Sequence, residues 1–224
     1  MRLILSRHGN TFSPGEKAVW VGRRSDLPLV EEGRRQAVRL GAELQGAGVA
    51  PAAIYCGPLL RTTHYAQLVA ERFGNFIAPI ADDALTEIDY GDWEGLTSHE
   101  IVERFGGDAL KAWESRSIWP TSAGWLPPEA ELARRIEAFV CGLAHAHTET
   151  DTVLAVTSNG ILRYFLRLDC DAFGAQAQAR AIKVATGNIC IMDAHEGSHR
   201  VTTWNATPEA ELFRSALCSG AEGM

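Results

Sequence analysis

Arg2-Leu3-Ile4-Leu5-Ser6-Arg7-His8-Gly9-Asn10-Thr11 is the stretch on which the fold turns. Leu3, Ile4 and Leu5 follow one another without polar alternation, the pattern of a strand covered on both faces. The early charge at Arg2 and the shortness of the apolar run argue against a secretory leader. The strand passes directly into Arg7-His8. In sheets whose strands are joined by helices, ligands bind beyond the carboxyl ends of the strands. A guanidinium and an imidazole at that point are therefore candidate site residues, and Gly9 lets a ligand approach the backbone closely. Taken alone, the same residues fit a turn with a hydrogen-bonded histidine about equally well.

Outward from this strand, residues 9–28 read as a loop punctuated by Gly9, Asn10, Pro14, Gly15, Gly22, Asp26 and Pro28. A helix is expected over about 31–45, with Ala37, Leu40 and Leu44 on one stripe and Gly46 and Gly48 ending it. A short strand over 53–56 is broken by Gly57-Pro58, and a second helix over 59–73 is closed by Gly74. A third strand is expected over 77–80. Residues 97–117 read as a helix in two pieces split at Gly106-Gly107, and 118–128 as an ordered loop. A strong helix follows over 129–147, then the clearest buried strand, T-V-L-A-V-T over 152–157, and a helix over about 160–168. Residues 189–192 and 201–204 form a final hairpin, and the last six residues should fray. Strands separated by helices predict a three-layer αβα sandwich, with a mainly parallel sheet and helices on both faces. One domain over 1–224 is expected, with 97–128 as an insertion forming a lid over the site.

Composition is that of an ordinary globular chain, 46% hydrophobic and 22% charged, which excludes disordered, collagen-like and coiled-coil classes. No apolar run reaches membrane-spanning length, so no membrane partner is expected. The net charge of −7 argues against nucleic acid as a partner. That charge is uneven: residues 1–61 hold nine Lys/Arg against five Asp/Glu, while 82–103 hold eight acids and no Lys or Arg. A basic segment in an acidic chain predicts a local anion site rather than a basic surface. Five cysteines without a C-x-x-C pair argue against a disulfide framework or a thiolate zinc site, so a cytoplasmic setting is expected. No cofactor is called for and no metal site is apparent: His145 and His147 are two apart on a helix and face different ways.

Three further segments carry candidate chemistry. Arg61 opens the helix after the second strand, where a positive charge opposes the helix dipole and an anion bound between them would remove the conflict; a solvated arginine is the competing reading. The loop Thr86-Glu87-Ile88-Asp89-Tyr90-Gly91-Asp92-Trp93-Glu94-Gly95 crowds carboxylates near aromatics, a setting that raises a carboxyl pKa toward the range of a general acid. A plain solvated acidic loop is the competing reading. Strand 152–157 ends in Ser158-Asn159-Gly160, residues that serve either as a helix cap or as donors to an anion. Trp113, Trp119 and Trp125 either anchor 97–128 to the core or line a pocket.

Together these pieces resemble the histidine phosphatase superfamily in its phosphoglycerate-mutase-like branch. The resemblance rests on Arg7-His8-Gly9-Asn10-Thr11, on Gly22 to Ala37 (GRRSDLPLVEEGRRQA), on Pro58-Leu59-Leu60-Arg61 and on Glu87 to Gly95, in family order. It implies that His8 attacks phosphorus, that Arg7 and Arg61 hold the phosphoryl oxygens, and that Glu87, or a neighbour such as Asp89 or Glu94, protonates the leaving oxygen. Asn10, Thr11, Ser158 and Asn159 are candidate phosphate-binding residues, and Arg23 a candidate for a second anionic group, with Arg24 beside it. One departure stands out. Where the family has S-H-G-G, this chain reads Thr157-Ser158-Asn159-Gly160, so Ser158 occupies the place of the second histidine. Losing one donor at such a site costs about 10²–10³ in rate. His64, three residues after Arg61, is a candidate to compensate. The expected function is metal-independent hydrolysis of a small phosphomonoester through a phosphohistidine. The alternatives are a phosphomutase and, in a different class, a feeble phosphate-binding or interaction module.

Overall fold

The computed structural model describes residues 1–195 and 197–218. Six strands form one sheet: β1 (Arg2–Arg7), β2 (Ala53–Cys56), β3 (Ile80–Ala81), β4 (Thr152–Thr157), β5 (Ile189–His195) and β6 (Ser198–Ala206). Their order across the sheet is β3-β2-β4-β1-β5-β6. The first four run parallel, with Arg2 to Arg7 in register with Thr152 to Thr157. β5 pairs antiparallel with β1 and turns back into β6. The sheet is thus mainly parallel with an antiparallel edge, as the strand-helix alternation predicts.

Eight helices accompany it among the described residues. They are α1 (Glu31–Gly46), α2 (Leu60–Ala70), α3 (Ser98–Phe105), α4 (Gly107–Arg116), α5 (Glu129–Ala146), α6 (Asn159–Leu166), α7 (Cys170–Ala179) and α8 (Ala210–Cys218). Strand alternation divides the core in two. Ile4, Ile54, Leu154, Val156 and Ile191 face one layer with Leu40 of α1, Val69 of α2 and Phe213 of α8. Leu3, Leu5, Val153, Ala155 and Met192 face the other, with Ile136 and Val140 of α5 and Phe165 of α6. This is the expected three-layer arrangement. Burying one such aliphatic side chain stabilises the fold by about 1.5–3 kcal/mol.

Two expectations are corrected. The third strand lies at Ile80–Ala81 rather than 77–80, and both of its residues are exposed. It is the sheet's edge, so no core face selects its register. The helix after β2 gives way at Ala70 to 3₁₀ turns over Glu71–Phe76, where Gly74 takes a φ of 70°. The split at Gly106-Gly107 holds, and α3 begins with a capping box between Thr97 and Glu100. The fraying expected of the last six residues concerns positions outside the described ones.

The segment 118–126 is tied to the acidic loop by main chain. Asp89 and Leu126 exchange both N–H···O bonds at 3.0 Å, and Asp92 N–H donates to Ala123 at 2.9 Å. Trp113 and Trp125 are almost fully buried, and both anchor this segment against Tyr90 and Trp93. Trp125 meets Tyr90 and Trp93 edge-on with ring centroids 4.7 and 5.1 Å apart. Trp20, from the loop after β1, joins the same cluster at 5.0 Å from Tyr90.

Candidate active site

At the carboxyl end of β1 the chain hands over from Arg7 to His8, and at the adjacent end of β4 from Thr157 to Ser158. His8 N–H donates to the Thr157 carbonyl at 3.0 Å, which fixes the imidazole beside the β4 terminus. The ring is buried, and its Nδ1 lies 2.8 Å from the Gly9 carbonyl. A carbonyl only accepts, so Nδ1 carries the proton and Nε2 keeps its lone pair. Burial, with the positive charges of Arg61 and Arg7 added, lowers the His8 pKa well below its usual 6.5. The imidazole is held neutral, the state a nucleophile needs. Gly9 sits where it must: a Cβ would collide with the backbone of Gly33 at the start of α1.

Arg61 occupies the first turn of α2 but is only 1% exposed, so the solvated-arginine reading does not hold. Its guanidinium donates to the carbonyls of Ser25 at 2.8 Å and Gly22 at 3.1 Å. The loop after β1 thereby answers the conflict with the helix dipole and aims the side chain inward. Arg7 donates to the Val184 carbonyl at 2.6 Å, while its Nε has no partner.

Glu87 is buried, not solvated. Its carboxylate accepts from its neighbour Ile88 N–H at 2.9 Å and from Gly160 N–H, in the first turn of α6, at 3.2 Å, and the Tyr90 hydroxyl bonds to it. Burial raises its pKa above the ordinary 4.5, partly offset by these donors and by Arg61. A Cβ at Gly160 would stand 2.6 Å from the Tyr90 hydroxyl and would strike the Glu87 carboxylate. Asp89 and Glu94 turn elsewhere: both pair with Arg24, at 3.1 and 3.2 Å.

Arg7, His8, Asn10, Thr11, Arg61, Glu87 and Asn159 line one cleft of about 360 Å³. Asn10 is set by Gln36, which accepts from its N–H at 2.9 Å and donates to its Oδ1 at 3.2 Å. Asn159 uses its Oδ1 to accept from Val184 N–H at 3.0 Å. Ser158 sits at the N-cap position of α6 without making a side-chain cap bond, and its buried Oγ has no partner among the described residues. Arg23 is exposed and His64 half-buried, and neither lines the cleft; nor does Arg24. Among the polar cleft residues that sequence reasoning passed over are Tyr90, Glu114, Arg163, Lys183 and Thr186. Arg163 carried a faint signal, as the arginine that ends the run after Ser158, whereas nothing local marked Lys183. Among the described residues, no three His, Cys, Asp or Glu side chains gather as a metal site, and no helix is long and apolar enough to cross a membrane.

Fold and cleft together define an α/β protein with a neutral histidine set between arginines at the ends of its central strands. The chain belongs to the histidine phosphatase superfamily (branch 1), whose family model matches residues 3–207. It is 31% identical over 139 residues to a 2,3-bisphosphoglycerate-dependent phosphoglycerate mutase of Rhizobium etli, covering 62% of this chain and 63% of that one. To the mutase of the same name from Parvibaculum lavamentivorans it is 29% identical, covering 83% and 86%. The chain spans less than two thirds of the length of the first curated relatives it matches. Among solved structures, YhfR of Bacillus stearothermophilus superposes with a TM-score of 0.75 at 28% identity, covering 92% of this chain and 97% of that one. A mycobacterial glucosyl-3-phosphoglycerate phosphatase superposes at 0.73 with 25% identity, covering 92% and 99%.

Proposed function

We propose that the chain is a metal-independent phosphomonoesterase that hydrolyses a small phosphorylated metabolite through a phosphohistidine on His8. The observation that carries this reading is the tautomer of His8: Nδ1 is tied to Gly9, so the free lone pair is on Nε2, in a cleft shared with Arg7, Arg61 and Glu87. Nε2 attacks phosphorus as the bond to the leaving oxygen breaks. The leaving oxygen takes the electron pair and a proton from Glu87. Arg7 and Arg61 hold the charge on the phosphoryl oxygens, with Asn10, Thr11, Ser158 and Asn159 as further donors. Water then attacks the phosphohistidine, passing a proton to Glu87, and phosphate leaves. Little covalent work falls to the protein, and positioning with charge stabilisation carries such a step. Residues 97–128 act as an insertion that walls the cleft through Trp113 and Glu114.

A phosphomutase is the second reading, favoured by the names of the sequence relatives. It requires the same chemistry and a site that keeps water from the phosphoenzyme. The basic residues of 97–128 number only three, Arg104, Lys111 and Arg116, and none of them lines the cleft, which supports hydrolysis. The test is hydrolysis of phenyl phosphate with EDTA present. Wild type turns over, and His8→Ala loses at least about 10³-fold. Phosphate binding without turnover on this ester and on a panel of natural phosphoesters sinks the enzyme reading in favour of a binding module. Exchange of phosphate between two hydroxyls of one substrate without release marks a mutase.

A further inference from the structure

Arg7 is gripped by residues 180–188, the connection that joins α7 to β5 without helix or strand. Its main chain is fixed on both sides. Arg7 N–H donates to the Asn188 carbonyl at 3.0 Å, and Gly187 N–H donates to the Arg7 carbonyl at 3.1 Å. Its guanidinium is fixed at one point. The bond from Nη1 to the Val184 carbonyl, 2.6 Å long, is the one hydrogen bond that side chain makes among the described residues. A long side chain tied once points where its acceptor directs it. An error of about 1 Å in such a group costs up to about 10²-fold in rate.

The Val184 carbonyl belongs to the same peptide unit as Ala185 N–H. That unit is planar, with the two groups pointing in opposite directions, so whatever holds the N–H also sets the carbonyl. Asn205, on β6, holds it: its Oδ1 accepts from Ala185 N–H at 2.8 Å. The Asn205 amide is oriented in turn by Asn188, whose Nδ2 donates to the Asn205 carbonyl and to its Oδ1, both at 3.0 Å. Asn205 has a φ of 57°, a left-handed conformation that asparagine adopts more readily than most residues. One continuous relay therefore runs from Asn205 Oδ1 through the 184–185 peptide to the Arg7 guanidinium, and bonds in such a chain polarise one another. Asn205 does not line the cleft. From the other side, Asn159 Oδ1 accepts from Val184 N–H at 3.0 Å. A glycine at that position, as in S-H-G-G, would leave that N–H without this acceptor.

We infer that Asn205, assisted by Asn159, is a positioning residue for Arg7: it holds the Val184–Ala185 peptide in the plane that aims the guanidinium into the cleft. This rests on the reading of Arg7 as a holder of the phosphoryl oxygens. Asn205 touches neither substrate nor nucleophile and acts through the peptide alone.

The test is a double-mutant cycle read on phenyl phosphate. Asn205→Gly removes the acceptor and keeps a residue at ease with positive φ. It should lower kcat/KM about three- to tenfold, the worth of one hydrogen bond. Asn205→Asp keeps the acceptor and should stay within about twofold of wild type. Arg7→Ala should lose about 10²–10³-fold. In that background Asn205→Gly should cost less than about twofold more, since residues that act through one another are not additive. A merely structural fault costs the same in both backgrounds. Asn159→Ala should show the same dependence on Arg7, and it carries the cycle if Asn205→Gly does not fold. The inference fails if the folded Asn205→Gly keeps full rate, if its loss persists in full without Arg7, or if Asn205→Asp falls as far as Asn205→Gly. An unchanged rate in Arg7→Ala removes the reading of Arg7 itself, whereas an impaired Arg7→Ala with additive losses removes only the relay. Calorimetric binding of inorganic phosphate to the same variants runs the cycle if the ester is not turned over.

Discussion

β1 and β4 lie side by side in parallel, Arg7 opposite Thr157, and the residues that follow them differ: His8 lines the cleft and Ser158 does not. From β1 comes His8, flanked by Arg7 and backed by a main-chain carbonyl that sets its tautomer. From β4 comes Ser158, whose buried hydroxyl makes no bond among the described residues. Equivalent positions in the sheet thus carry unequal chemistry. The β1 terminus carries a ring whose Nδ1 is bonded, whereas the β4 terminus carries a hydroxyl left without a partner among the described residues. An idle buried hydroxyl costs about 1–3 kcal/mol, a cost a ligand can relieve. Arg163, five residues after Ser158 on α6, is a cation that lines the cleft.

The sharpest way to probe this asymmetry is Ser158→His. If the absent ring limits the rate, kcat on phenyl phosphate rises by about 10²-fold, the worth of one donor at such a site. No gain would mean that the β4 terminus already does what it needs with Ser158, Asn159 and Arg163. Gly160→Ala should break the β4 side altogether. The added methyl collides with the Glu87 carboxylate and the Tyr90 hydroxyl, so stability falls by about 1–3 kcal/mol and activity falls with it. Denaturant midpoints alongside kcat read both effects.

The smallest effect concerns pH. The His8 pKa is lowered in the fold, so the unfolded chain binds its proton more readily, and stability is lost as pH falls below the usual 6.5. Glu87 has the opposite sign. Its raised pKa gives stability that is present below 4.5 and lost as pH rises through the folded value. Glu87→Gln should therefore raise Tm at pH 8 by about 2–4 °C, the shift that about 1 kcal/mol produces in a chain of this size. At pH 4 it should do little. If the proposed mechanism holds, a pH profile of kcat/KM should show an acid limb from protonation of His8 and an alkaline limb from ionisation of Glu87.

Much of this architecture was legible in the sequence where burial on both faces forced a continuous aliphatic run. Ala53–Cys56 and Thr152–Thr157 stand at the expected residues for that reason. Where burial is weak, the signal is weak too. α7, Cys170–Ala179, buries none of its residues and was not anticipated, and the edge strand β3 was misplaced. The site divides the same way. Arg7 ends β1, His8 follows it, and Arg61 opens the helix after β2, so chain order locates them. Arg163 and Lys183 reach the cleft only because α4 and the connection into β5 fold back against α6. That approach is a tertiary fact that no local pattern encodes. Arg23 and Arg24 looked similar as loop arginines, but Asp89 and Glu94 hold Arg24 away from the cleft and Arg23 stays exposed.

The aromatic cluster that anchors 97–128 has an optical consequence. Trp20 and Trp113 both line the cleft, and the Arg163 guanidinium rests on the Trp113 indole. An anion bound in the cleft changes the field across the indole, and with it the indole's emission. Trp93 and Trp125 are buried and Trp119 is partly buried, and none of the three lines the cleft, so they supply a steady background. Intrinsic fluorescence therefore reports occupancy of the cleft without a label, and Trp113→Phe should remove most of the signal.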